Sequence, residues 1–379
     1  MTNTSPPPFP FDAPAPPESG PPTQVRLPSG RTAWLVTRYA DIRQVLDDYR
    51  FSRAEAVDPP PPGATPDVLI RSSPDVLINM DPPRHTSVRR QITGDLPPTA
   101  RRAEPDITTE VDRLLDELAE HGPPADFVAR FAVSLPTTAI CALLGVPRAD
   151  HGLFHQWAAA RYFAADASAE FRELDAYLRA AARRPHRGGL IGAIASLGAR
   201  PTEEELVGNL LAFVIAGHNN LATLLGTTVL ALCRLPERLD RLAREPALAP
   251  AATEELLRHT RFQNLNFART ARADVCLGGR LIRRGETVIT HIDSGDRDPE
   301  VHWDPDAVDF DRSDPVPTLK FGNGVHRCPG ADLSRYCLTA TFARLPARFP
   351  GLRLAVPESE LVWKPADQLH ALVGLPVTW

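Results

Sequence analysis

The run FGNGVHRCPG, residues 321–330, sets one cysteine among glycines, with a histidine and an arginine just ahead of it. An isolated cysteine in a long chain is ordinarily a small buried hydrophobe. Cys328 is not isolated. Phe321, Gly322, Gly324, His326, Cys328 and Gly330 stand at fixed spacing immediately before a helix expected from about Ala331. A helix N-terminus supplies backbone N–H groups and partial positive charge, which favour a thiolate over a thiol. The glycines permit positive φ and let the backbone approach a flat ligand closely. A thiolate axial ligand to haem iron meets each of these requirements.

Three further groups carry candidate chemistry. In EELLRH, Glu255 and Arg258 share one helical face; alone they read as a surface ion pair worth at most ~1 kcal/mol. In MDPPRHTSVRRQI (80–92), Asp81-Pro82-Pro83 opens a helix that aligns His85 with Arg89. On the residues alone this is a solvated basic face. In AGHNN, Ala216 and Asn220 are four apart and share a face. Neither Asn219 nor Asn220 can act as an acid near neutral pH, because an amide donates and accepts hydrogen bonds without a useful pKa.

These residues need a large, mostly helical frame. The chain has 379 residues, 43% of them hydrophobic, enough for a sizeable core. A net charge of −5 gives no reason to expect nucleic acid. Five cysteines without a CxxC pair argue against a disulfide framework or structural zinc. Residues 1–24 are expected to form an extended, proline-rich tail, with a single domain from 25 to 379. VRLPSGRTAWLV (25–36) predicts a hairpin, DPPPPGATPD (58–67) a loop free of regular structure, and PDITTEVDRLLDELAE (105–120) an amphipathic helix. FAVSLPTTAICALLG (131–145) predicts a more buried helix. Thr202 and Glu205 form a capping box for a helix running to about Leu235. Its stretch 210–233 is long enough to cross a membrane, but His218, Asn219 and Asn220 near its middle favour the interior of a domain that does not span one. Strands follow residue 265, with turns at Gly278-Gly279 and Gly285. No basic segment followed by an apolar one opens the chain, so a cytoplasmic protein is expected.

The cysteine run resembles the haem-binding loop of the cytochrome P-450 family, FxxGxxxCxG, at every fixed position. The resemblance extends from about residue 25 to the end. It implies a mainly α fold with small β-sheets, with haem b between the long central helix and the cysteine loop. Cys328 would be the axial ligand, and Phe321 would pack beside its sulfur, with Gly322 and Gly330 shaping the loop. His326, His85, Arg89 and Arg269 would hold the propionates, which call for cationic, multi-donor partners. Glu255 and Arg258 would be the family's structural ExxR pair. SGDRDPEVHWDPDAVDFDR (294–312) resembles the loop between the sheet and the cysteine, with Asp296 where asparagine is more usual. Members usually carry [AG]GxxT in the central helix, with an acid before the threonine that delivers protons so that the O–O bond breaks. Here Ala216-Gly217 is kept, Asn219 replaces the acid and Asn220 the alcohol. The replacement is either drift in a pocket where water carries protons or a sign of chemistry other than simple hydroxylation.

Phe213, Gln263, Asn264, Leu265 and Asn266 fall where the family lines its substrate side; as residues alone, 263–266 read equally as a solvated loop. LFHQWAAARYFAA (153–165) lies in the expected lid region and reads first as helix packing. Nothing resembles a flavin or iron–sulfur domain, so electrons from NAD(P)H would arrive through a ferredoxin and ferredoxin reductase, with O2 as co-substrate. Three activities remain open: a monooxygenase tailoring a secondary metabolite, an oxidative coupling enzyme joining aromatic or peptide-derived units, and a haem-bearing binding protein without turnover. A monomer is expected.

Overall fold

The computed structural model describes residues 17–379 apart from 28, 59, 61–65, 165, 186–187, 199, 263–266, 314–315 and 366–368. Helices make most of it, and the largest hydrophobic cluster gathers around the central helix, Glu203–Cys233. That helix begins on the expected capping box. The Thr202 hydroxyl accepts from the Glu205 backbone N–H at 3.1 Å, and the Glu205 carboxylate accepts from the Thr202 N–H at 3.0 Å. Three glutamates in its first turn face the positive end of the helix dipole. It runs about 46 Å at 1.5 Å per residue. By length and composition it could cross a membrane, yet 67% of its most apolar window is buried inside the protein.

Several local expectations are corrected. The helix expected from residue 105 begins at Leu96 and runs to His121. Prolines 97 and 98 occupy its first turn, where their missing N–H groups have no intrahelical partner to lose, and Pro105 is carried inside. The segment from 131 divides into a π-helical turn, Val128–Ala132, and the helix Ser134–Leu144. The loop expected over 58–67 ends earlier, because Pro66 starts a short helix, Pro66–Ser72. Most of the expected tail falls on residues 1–16, outside the described residues; within 17–24, the Gly20 N–H already donates to the Thr37 hydroxyl at 3.0 Å and Thr23–Arg26 is a strand.

One sheet orders the cysteine side. Thr23–Arg26 pairs antiparallel with Thr32–Val36, which lies parallel to Thr287–Thr290; Arg269–Ala271 and Phe51–Ser52 follow antiparallel. The register Arg269↔Val288 delivers Arg269 to the interior, and Phe51–Ser52 delivers Arg53 beside it.

The Glu255–Arg258 pair fastens this region to the helices. Both side chains are 4% exposed. Glu255 receives Arg258 through two bonds of 2.8 Å, Arg312 at 3.1 Å and the Asp309 N–H at 2.9 Å. Arg258 also donates to the carbonyls of Asp296, Pro305 and Ala307. The helix Ala249–His259 is thereby tied to the irregular chain over 296–312. Glu255→Ala leaves two buried guanidinium groups without their carboxylate, a loss of about 3–5 kcal/mol. Denaturant unfolding of the variant checks it, and a loss below ~1 kcal/mol would reduce the pair to the worth of a surface contact.

Candidate functional site

The cysteine loop is a pair of 3₁₀ turns, Leu319–Phe321 and Gly324–His326, followed by the helix Ala331–Phe342. Gly322 and Gly324 have φ of +67° and +68°, the left-handed region that glycine adopts most easily. A Cβ on Gly324 would lie 2.6 Å from the Leu46 carbonyl oxygen, so nothing larger fits there. Gly330 has an ordinary φ of −87° and sits against the sulfur instead. The Cys328 N–H donates to the Phe321 carbonyl at 2.8 Å, closing the loop beneath the half-buried thiol. Phe321 is buried, and the Arg335 guanidinium lies over its ring at 4.5 Å. Burial pushes the Cys328 thiol up, while the Gly330 N–H and the cations Arg89, Arg327 and Arg335 pull it down. Burial outweighs them. The helix end and arginines alone do not make a thiolate here; a metal cation at the sulfur would.

Beside the loop, basic groups converge. His85 and His326 meet at 4.4 Å between ring centroids, their planes tilted by 55°. Arg269 and Arg53 are buried next to them. Burial pulls Arg53 to about 9 and Arg269 to about 10, and it pulls His85 to about 4, with Arg89 and Arg269 adding repulsion. His326 is driven down by burial first and then by Arg269, His85, Arg53 and Arg89. Asp81 is the acid that opposes this among the groups acting on Arg53, His85 and Arg269. Both ring nitrogens of His85 are buried and meet no hydrogen-bond partner among the described residues. Arg89 is bonded to the cysteine loop, donating to the carbonyls of Val325 at 2.9 Å and Arg327 at 2.7 Å. A group bearing two carboxylates next to a metal beside Cys328 fits this donor set, as a haem would.

The central helix is less buried over 216–220. Ala216 is exposed, and Gly217, Asn219 and Asn220 are half-buried, although Val214, Ile215, His218 and Leu221 around them are buried. Gly217 turns its back to Ile140, whose side chain would lie 3.2 Å from a Cβ there. Phe213 is half-buried and packs on the main core. Gln263, Asn264, Leu265 and Asn266 lie outside the described residues.

Three residues were not marked as site residues in the sequence. Arg53 donates to the Ile78 carbonyl and Asn79 side chain, each at 3.0 Å, and to the Ala268 carbonyl; nothing around it in the sequence distinguishes it. Asn209 accepts from the Leu77 N–H at 2.8 Å and donates to the Asp75 carbonyl at 2.9 Å, joining the chain ahead of His85 to the central helix. A lone amide on an apolar helix face is the signal available. Lys320 is fully buried, bonded to Asp293 at 2.5 Å and 3.4 Å from Asp296. This answers the aspartate at 296: Lys320 supplies the charge opposite it, and the Thr318 hydroxyl and Leu319 N–H donate to it at 2.7 Å.

The comparisons with known proteins agree with this geometry. The sequence model described as Cytochrome P450 matches residues 190–351. The chain is 39% identical to nocardicin C N-oxygenase of Nocardia uniformis subsp. tsuyamanensis, over 95% of this chain and 92% of that relative. Among solved structures it is similar to a mutant of the mixed-function P450 MycG in complex with mycinamicin V. The TM-score is 0.88 at 34% identity, covering 99% of this chain and 100% of that one. A cytochrome P450 with biaryl coupling reactivity superposes at TM-score 0.82 and 33% identity, over 95% of this chain and 93% of that one.

Two outcomes are expected. Arg269→Ala and His85→Ala each remove a charge-assisted bond worth about 1.5–3 kcal/mol, so each should weaken haem binding about 10- to 150-fold. Titration of haem into apoprotein measures this, and unchanged affinity in the double variant would remove the propionate assignment. The histidines also set a pH response. His85 and His218 have pKa values near 4 in the folded protein against an ordinary 6.5, so the unfolded chain binds protons that the folded one refuses. Their stabilisation of the apoprotein is therefore complete above about pH 6.5 and is lost as the pH falls through about 4. Denaturation series across that window should show falling stability; a flat profile would contradict it.

Proposed function

This chain belongs to the cytochrome P450 family, and from that premise we propose that it oxidises a small aromatic or peptide-derived metabolite in a secondary biosynthetic pathway. As a family member it is a haem-thiolate monooxygenase that uses O2 and electrons drawn from NAD(P)H through partner proteins. The proposal concerns what this chain does with that equipment. It takes Cys328 as the axial ligand, with His85, Arg269, His326 and Arg53 around the propionates, and Arg89 as the clamp on the cysteine loop. Ferredoxin and ferredoxin reductase are the partners in this reading, and the enzyme is cytoplasmic and monomeric.

Thiolate-bound haem supplies dioxygen activation, because electron density from sulfur favours O–O cleavage. The protein's own part is to bind, orient and control water. The observation that carries the proposal is the opening at 216–220, where exposed Ala216 is flanked by two half-buried amides in a helix buried on most sides. Asn219 and Asn220 can order a substrate amide, hydroxyl or water through hydrogen bonds, but neither releases a proton near neutral pH. Proton supply on this face therefore falls to water held by these amides or to the substrate itself.

A second reading, oxidative coupling, draws on the same observation. A site that orders polar substrate groups and lacks a fixed acid suits hydrogen or electron abstraction followed by bond formation. A relative of 33% identity with biaryl coupling reactivity makes that chemistry accessible to the fold. The binding-protein reading is set aside, because the chain is an enzyme of this family.

The test restores the usual pair with Asn219→Asp and Asn220→Thr, alongside Asn220→Ala. Substrate is first selected from aromatic amides by the haem spectral shift, and electrons come from a ferredoxin pair. Asn220→Ala should keep haem and substrate binding while diverting more electrons to peroxide. In the double variant, growth of hydroxylated product at the expense of coupled product supports coupling. Faster turnover to the same product supports monooxygenation. An unchanged distribution in all three proteins would make both amides spectators.

A further inference from the structure

His218 is fully buried in the central helix, edge-on to Trp157 at 5.5 Å and to Tyr162 at 6.2 Å between ring centroids. Its ring also meets two oxygen atoms. Nε2 lies 3.2 Å from the Val133 carbonyl, and Nδ1 lies 3.2 Å from the Asn219 side-chain oxygen. Both oxygens only accept, so this arrangement needs a proton on each ring nitrogen and hence an imidazolium. The surroundings oppose that charge. Burial pulls the pKa to about 4, and the nearby charges of Lys364 and Arg161 are both positive. A neutral ring carries a single N–H.

One arrangement satisfies a neutral ring. The Val133 carbonyl belongs to the main chain and cannot turn, so the proton sits on Nε2 and donates to it. Nδ1 is then an acceptor and requires a donor. The Asn219 carboxamide can supply one by exchanging its oxygen and nitrogen, which are nearly identical in size. Asn219 then donates its NH2 to His218 and turns its carbonyl oxygen the other way. His218 is buried whereas Asn219 is half-exposed, so the outward atom faces open space.

We propose that His218 is a positioning residue that holds the Asn219 carboxamide with its carbonyl oxygen toward the substrate side, so that position 219 accepts a hydrogen bond from an N–H or O–H donor. The ligand class favoured at this point is an amide, amine or hydroxyl with a free hydrogen, or a water that such a group replaces. The inference deepens the reading of residues 216–220 as the substrate face and rests on it.

The test has two arms. Protein with 15N-labelled histidine, with His218→Gln used to assign the signal, should show Nε2 protonated and Nδ1 bare at neutral pH. A proton on Nδ1, alone or on both nitrogens, overturns the proposal, and this arm needs no haem. The second arm compares binding of acetanilide and its N-methyl derivative by spectral titration of the haem-loaded enzyme. His218→Gln can donate to Val133 and accept from Asn219, so it should retain the preference for acetanilide. His218→Phe approximates the ring volume without either bond and should lose that preference by about tenfold. If the tautomer is as stated but the two variants bind both probes alike, the substrate-face reading fails while the His218–Asn219 geometry stands.

Discussion

Basic groups crowded into a protein interior set the terms for the rest of this molecule. Arg53, His85, Arg269 and His326 arrive from four separate segments, and burial holds each below its ordinary basicity, with neighbouring basic groups adding to the effect at Arg53, His85 and His326. Repulsion of this kind grows as water is excluded, so the groups stay together only because the frame restrains them. The sheet register fixes Arg269, backbone carbonyls bind Arg53, and the two imidazoles pack against each other at a tilt. A dianionic ligand placed there would offset the charges of Arg53 and Arg269 and accept hydrogen bonds from the imidazoles.

The central helix follows another rule. Among residues 216–220 the sole ionisable side chain is His218, and it is buried, with Nδ1 3.2 Å from the Asn219 side-chain oxygen. The two faces thus divide their work. One gathers buried basic groups, and the other offers amides that hydrogen-bond without charge. Arg258 and Glu255 serve neither face directly; their buried network fastens the chain that leads from the sheet to the cysteine loop.

Much of this was legible because spacing and residue type are local. The cysteine loop, the capping box at Thr202, the alignment of His85 with Arg89 and the Glu255–Arg258 pair each occupy a few consecutive residues. What escaped was non-local or contrary to ordinary propensity. Arg53 matters only because Ala268 and Asn79 stand beside it. Lys320 explains Asp296 across 24 residues of irregular chain. The helix starting at Leu96 was hidden by Pro105, which marks a helix start on propensity but is accommodated in the interior. The polar run at 218–220 was legible as a break in an apolar helix, but the division between a buried imidazole and half-exposed amides depends on Val133 and Trp157.

The parallel pairing of Thr32–Val36 with Thr287–Thr290 has a consequence for biosynthesis. Thr32–Val36 must wait for more than 250 residues before its parallel partner exists. The cationic cradle waits longer still, since its last member, His326, lies just ahead of Cys328. Contacts of such long sequence separation form slowly and leave unpaired edges exposed in the meantime. Cofactor capture is thereby confined to the closing stage of synthesis or later. Until Thr287–Thr290 has been made, a nascent chain carries the Thr32–Val36 edge bare.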